Sequence, residues 1–232
     1  MIIGILQCDD VTEELQVRHG NYPQMFTQLF EAIEEDIQFN VYRVIEGEYP
    51  KSIHECDGYI TTGSRFGVND VHEWIKDLED FVLTLHQSKK KLIGICFGHQ
   101  MIAKALGGVV ELSPKGWGVG VNTSKVQRQQ HWMEQDKDNI SLVVSHQEQV
   151  MQLPEGSQIL ASSEFCPFYM IQINEHFLGI QGHPEFSKTY SYDLMQARRK
   201  RIPLQCIEAG IDSLTMAVDD KLVTRWLINF LK

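Results

Sequence analysis

The stretch KLIGICFGHQMIAKALGG, residues 91–108, decides the reading of this chain. Its first half is short and apolar, as a strand buried on both faces should be. Its second half reads as a helix over 99–108, closed by Gly107 and Gly108. The turn between the two falls on Cys96, with glycines two positions to either side, Gly94 and Gly98. A strand that passes straight into a helix leaves no room for side chains on its neighbours and presents the residue at the turn. The helix start adds two effects. Its positive end favours a thiolate at Cys96. Its free backbone N–H groups, that of Phe97 first, can hold a developing oxyanion. Taken alone, the same pattern also suits a buried cysteine in an ordinary βα turn.

Outward from this point the texture alternates. Residues 1–7, 39–45 and 58–63 read as strands, and 22–33 and 71–87 read as amphipathic helices, the former with Asn21 as cap and Pro23 in its first turn. After residue 108 the segments 119–127, 140–145, 158–162, 168–173 and 177–182 are strand-like, followed by helical stretches at about 188–200 and 213–231. Strand–helix alternation followed by successive strands predicts an α/β fold. The expected form is an open, mostly parallel twisted sheet with helices on both faces and an antiparallel extension. A single domain over 1–232 is expected, with a core of about 1–190 and a helical C-terminal extension, 191–232.

Composition narrows the function. The chain has 232 residues, 43% of them hydrophobic, and a formal net charge of -10. That charge disfavours nucleic-acid binding, which rests on a positive surface. No apolar run is long enough for a membrane span. The five cysteines are odd in number and contain no CxxC pair, which argues against a disulfide framework or a structural zinc site. Neither a metal nor a cofactor is expected. With no signal-peptide pattern at the amino terminus, a cytoplasmic location is expected.

A thiol nucleophile needs a base, and the base needs an orienting partner. His183-Pro184-Glu185 ends the apolar run 177–182. In an extended chain residues i and i+2 point the same way. His183 can therefore face Cys96 while Glu185 accepts from its other ring nitrogen and sets the tautomer. The segment Thr61-Thr62-Gly63-Ser64 follows a strand and should lie at the same sheet edge, where Gly63 or Ser64 could supply a second oxyanion donor. It is not a phosphate loop, since no Gly-Lys-Ser/Thr follows.

These residues together resemble the class I, triad-type glutamine amidotransferases. The resemblance rests on Gly94 to Gln100, Ala103, Leu106-Gly107-Gly108 and Gly182-His183-Pro184-Glu185, with Trp74-Ile75, Gly116 to Gly120 and Ser145-His146 in agreement. It spans about residues 1–190 and is nearest to stand-alone proteins similar to the glutaminase domain of GMP synthase. It implies a flavodoxin-like layering and a Cys96–His183–Glu185 triad that hydrolyses the γ-carboxamide of glutamine through a thioester, releasing ammonia. It further implies an oxyanion hole from Gly63 and Phe97. Ser64, Gln100, Ser145, His146 and Gln147 are implied to hold a small-molecule substrate. Gln147 departs from the glycine that many synthase-coupled members carry in a Ser-His-Gly-Asp run. A remodelled clasp suits a larger leaving group, so a γ-glutamyl peptide or conjugate is the alternative substrate. The chain has no ATP-binding half, so any ammonia-using synthase must be a separate chain. The remaining alternative is a non-catalytic regulatory subunit on the same fold.

Overall fold

The alternation read from residues 91–108 recurs along the chain in the computed structural model, which describes residues 1–232. In chain order the elements are β1 (Ile2–Leu6), α1 (Glu13–His19), α2 (Tyr22–Glu31), β2 (Gln38–Tyr42), β3 (Gly58–Thr61), α3 (Glu73–Gln87), β4 (Leu92–Ile95) and α4 (Phe97–Ala105). Then follow β5 (Val109–Leu112), β6 (Gly118–Val126), β7 (Asn139–His146), β8 (Glu148–Gln152), β9 (Ser157–Ser162), β10 (Met170–Ile173) and β11 (Phe177–Ile180). Three helices close the chain: α5 (Lys188–Ala197), α6 (Leu204–Ser213) and α7 (Asp220–Leu231).

Nine strands form one sheet in the order β2-β1-β3-β4-β11-β10-β9-β6-β7. The first five are parallel neighbours, and the remaining pairings are antiparallel. Only β10 and β6 run against the other strands. The expected α/β architecture, mostly parallel with an antiparallel extension, is the one observed. Strand residues alternate between two cores. Ile3, Ile5, Ile60, Ile93 and Ile95 face α2 and α7, packing with Phe26, Phe30, Trp226 and Phe230. Leu6, Tyr59 and Leu92 face α3 and α4, packing with Leu78, Val82, Leu85 and Met101. Each such side chain contributes about 1.5–3 kcal/mol by leaving water.

Local chemistry explains the boundaries. Asn21 caps α2 in a reciprocal capping box with Gln24, and Pro23 stands in the first turn, as the sequence predicts. The strand expected over 39–45 ends at Tyr42 and gives way to a 3-10 turn, Val44–Glu46. Helix α1 was not expected: none of its residues is buried, so its sequence carries no apolar stripe. Strands β5 and β8 were not expected either. They pair with each other in a separate two-stranded sheet. The helical stretch expected over 213–231 starts later, at Asp220, as α7, and α6 precedes it over Leu204–Ser213, where no helix was expected. Helix α6 can lie tightly on β6 because Gly120 faces Gly210: a Cβ on Gly120 would come 2.4 Å from the Gly210 carbonyl oxygen. Helix α7, expected as part of an extension, fills the larger core with Trp226, Leu227 and Phe230.

Candidate active site

Strand register assembles the site. β3 pairs with β4 so that Thr61 lies opposite Gly94, and β4 pairs with β11 so that Ile95 lies opposite Ile180. Carried forward, these registers bring Gly63 beside Cys96 on one side and Gln181 beside it on the other. The Cys96 N–H donates to the Ile180 carbonyl at 2.8 Å, which continues the ladder to the turn itself. His183 is fixed from the far side, its N–H donating to the Val143 carbonyl of β7 at 2.8 Å.

Cys96 has φ 51° and ψ -96°, a left-handed conformation that a non-glycine residue adopts at a cost of about 1–3 kcal/mol. The turn is as tight as the sequence predicts. A Cβ on Gly94 would meet the Gly98 carbonyl oxygen at 2.4 Å, and one on Gly98 would lie 1.5 Å from Thr61 Oγ1. Helix α4 starts at Phe97, directly after the turn. The N–H groups of Phe97 and Gly63 donate to no acceptor within the protein.

His183 is 3% exposed and Glu185 6% exposed. The His183 Nδ1 and Glu185 Oε1 atoms are 2.7 Å apart. The Cys96 thiol is near enough to the same imidazole to favour its charged form. Burial opposes a charge on His183, but Glu185 and then Cys96 outweigh it and raise the imidazole to about 10. Phe186 stacks on the ring, with centroids 3.8 Å apart and planes 9° apart, and so fixes its orientation.

Other side chains frame a cleft that opens over Cys96. Ser64 lines it and donates its hydroxyl to the Cys8 carbonyl at 3.2 Å. Gln100 is nearly buried. Its amide nitrogen donates to the Glu148 carbonyl at 2.7 Å and to Gln181 Oε1 at 3.2 Å, which leaves Gln100 Oε1 without a protein donor. Ser145 and His146 are the last residues of β7, and Gln147 is the single residue turning the chain into β8. Burial pushes His146 down to about 4, so its ring is neutral at pH 7. His99 lies on α4 but faces the sheet: a Cβ on Gly179 of β11 would be 2.5 Å from its Nδ1.

Two functional-looking residues, Gln181 and Asp9, escaped the sequence reading. Gln181 reaches Cys96, its amide nitrogen 3.4 Å from Sγ. The signal was present, because Gln181, His183 and Glu185 follow the same i, i+2 alternation. Asp9, 1% exposed, binds the Arg65 guanidinium at 2.7 Å and the Arg65 N–H at 2.8 Å, which braces the loop after β3. Glu148 also faces the cleft, and burial followed by the nearby Asp70 raises its carboxyl. No group of three or more His, Cys, Asp or Glu side chains converges so as to hold a metal ion. No helix is long and apolar enough to cross a membrane.

Comparison with known proteins agrees with the geometry. A family model described as glutamine amidotransferase class-I matches residues 28–198. Gamma-glutamyl peptidase 3 of Arabidopsis thaliana is 30% identical over 236 residues, covering 97% of this chain and 93% of that protein. A glutamine-hydrolyzing GMP synthase subunit from Sulfolobus acidocaldarius is 31% identical over 140 residues, covering 60% of this chain and 72% of that one. A crystal structure of a glutamine amidotransferase from Thermotoga maritima shares the fold, with a TM-score of 0.76 over 100% of this chain and 97% of that one at 18% identity. With the elbow, the sheet order and the family match in agreement, this chain belongs to the class I glutamine amidotransferase family.

Proposed function

We propose that the protein hydrolyses γ-glutamyl amide bonds through a covalent thioester on Cys96. The observation that carries this reading is the line from Cys96 through His183 to Glu185, set at a left-handed turn on the sheet edge. Cys96 Sγ attacks the γ-carbonyl carbon, and the developing oxyanion takes the N–H groups of Gly63 and Phe97. The His183 imidazolium gives its proton to the departing nitrogen, the amine leaves, and the γ-glutamyl group stays on sulfur. Water then attacks the thioester while His183 accepts its proton, freeing glutamate and the thiol group. Glu185 keeps the imidazole in place and offsets its charge. Gln100 Oε1, Glu148 and Asp70 provide acceptors and negative charge for the substrate's α-ammonium group. Ser64, Ser145, His146 and Gln147 line the same cleft and shape the seat of the glutamyl group.

A peptide leaving group is favoured over ammonia. The cleft is also lined by Trp117, Arg198 and Arg201, more surface than ammonia would use. The likeness to gamma-glutamyl peptidase 3 supports the same choice. Glutamine, which is the same bond with the smallest leaving group, is the second reading. The likeness to a GMP synthase component favours it, and a separate synthase chain would then take the ammonia.

Purified protein incubated with glutamine and with γ-glutamyl dipeptides, assayed for free glutamate and ammonia, tests both. The expected result is faster glutamate release from the peptides, abolished by Cys96→Ala. Release from none of them would end the hydrolase reading.

A further inference from the structure

The charges of the cleft are unevenly balanced. Arg65 is neutralised by the buried Asp9. Asp70 and Glu148 lie close enough for Asp70 to raise the Glu148 carboxyl, and neither has a basic partner within ion-pair distance. The same cleft also holds Arg198 and Arg201, and no carboxylate pairs with either. The half-buried Arg198 donates to one neutral acceptor, Ser145 Oγ, at 2.8 Å. A guanidinium partly removed from water without a counter-charge is costly, and an incoming anion offsets that cost.

The two arginines are also held in place. Arg198 caps α5, and the turn after it is closed by the N–H groups of Arg201 and Ile202, both donating to the Arg198 carbonyl. Ile202 anchors the turn in a small apolar cluster that Trp117 adjoins. The Arg201 guanidinium lies over the Trp117 ring, 5.9 Å from its centroid. The forks are thus preorganised, and planar forks match carboxylates in a bidentate manner.

We infer that Arg198 and Arg201 form a subsite for the C-terminal carboxylate of the peptide released from a γ-glutamyl peptide. Arg201 is solvent-exposed and lines the same cleft as Cys96. The inference rests on the γ-glutamyl hydrolase reading. It makes the segment after α5 the determinant that separates peptides from glutamine, whose leaving group carries no carboxylate.

The test compares γ-glutamylglycine with γ-glutamylglycinamide, which differ only in that carboxylate. The wild-type protein should prefer the acid in kcat/KM by about tenfold or more. In the double variant Arg198→Gln, Arg201→Gln that ratio should fall toward one, chiefly through KM for the acid. A ratio that does not change overturns the subsite. This includes equal losses on both substrates, which would assign the arginines to the glutamyl α-carboxylate. If the wild type cleaves neither these compounds nor glutamine, the hydrolase reading fails by itself. Calorimetric titration of both compounds into Cys96→Ala protein, with and without the two arginine substitutions, then reads the same affinity ratio and decides the subsite.

Discussion

A methyl group added to Gly63 would stand 2.8 Å from Cε1 of His183. The loop after β3 and the imidazole therefore occupy adjoining volumes with no slack. Gly63 does not have a positive φ, so alanine is tolerated by the backbone and its effect falls on the ring. Gly63→Ala should lower kcat by about 100-fold, the scale of a displacement of about 1 Å at reacting groups. Thermal unfolding should shift by only a few degrees. A variant with full activity would show that the ring has room the structure does not give it.

Gly98→Ala should act on stability instead. Its Cβ would fall 1.5 Å from the side chain of Thr61, which is itself buried between strands. The cost expected is about 3 kcal/mol or more, because neither helix α4 nor β3 can withdraw without opening the core. Urea unfolding measures it, and a loss under about 1 kcal/mol would contradict the packing at the elbow.

Cys96 should be the cysteine alkylated fastest near neutral pH. It sits at the start of α4 beside the His183 imidazole. Burial pushes the Cys8 thiol far up and the Cys166 thiol up to about 12. Brief iodoacetamide treatment followed by mass spectrometry of the peptides gives the order of labelling. His183→Ala should slow the labelling of Cys96 and leave the order of the others unchanged.

Stability should peak between about pH 6 and 7. Burial holds His99 at about 3 and His146 at about 4, while the unfolded chain binds those protons near pH 6.5. Below pH 6.5 the unfolded state thus carries more protons, and stability falls as pH falls, by up to about 1.4 kcal/mol per unit for each ring. His183 works in the opposite direction. Its folded value is raised to about 10, so its contribution is complete below about pH 6.5 and is lost as pH rises toward 10. Urea unfolding at a series of pH values should trace both limbs. Glu185→Gln removes the chief cause of the upward shift and should flatten the alkaline limb. A limb as steep as the wild type's would mean that Glu185 does not carry the charge on His183.

Glu185→Gln should also cost less activity than His183→Ala. Glutamine keeps an acceptor for Nδ1 but lacks the charge opposite the imidazolium. His183→Ala should approach the loss of Cys96→Ala, since nucleophile and base act as a unit. Steady-state rates of glutamate release settle the order, and full activity in Glu185→Gln would make the His-Pro-Glu segment a turn without a catalytic part.

Much of the site was legible because its constraints are local. Gly94 and Gly98 mark a turn that admits no side chains, and the i, i+2 spacing of His183 and Glu185 survives in any extended backbone. Gln181 obeyed the same spacing and was still missed, because a glutamine at the end of an apolar strand has no chemistry of its own until a thiol is placed beside it. Helix α1 could not be read, since it buries nothing. Strands β5 and β8 were hidden because each is short and finds its partner only across a long sequence separation.

By itself the sequence determined local patterns: a strand–cysteine–helix elbow, a histidine with a carboxylate two residues on, and an alternation that demands a largely parallel sheet. Tertiary structure alone decided what stands around them. The registers of β3, β4 and β11 put Gly63, Cys96 and Gln181 side by side, although they are distant in the chain. The close approach of Gly120 and Gly210 seats α6, and the turn before it brings Arg198 and Arg201 to the cleft. Local spacing records how a backbone turns. Which distant side chains share a cleft, and which charge there lacks a partner, depends on how the layers pack.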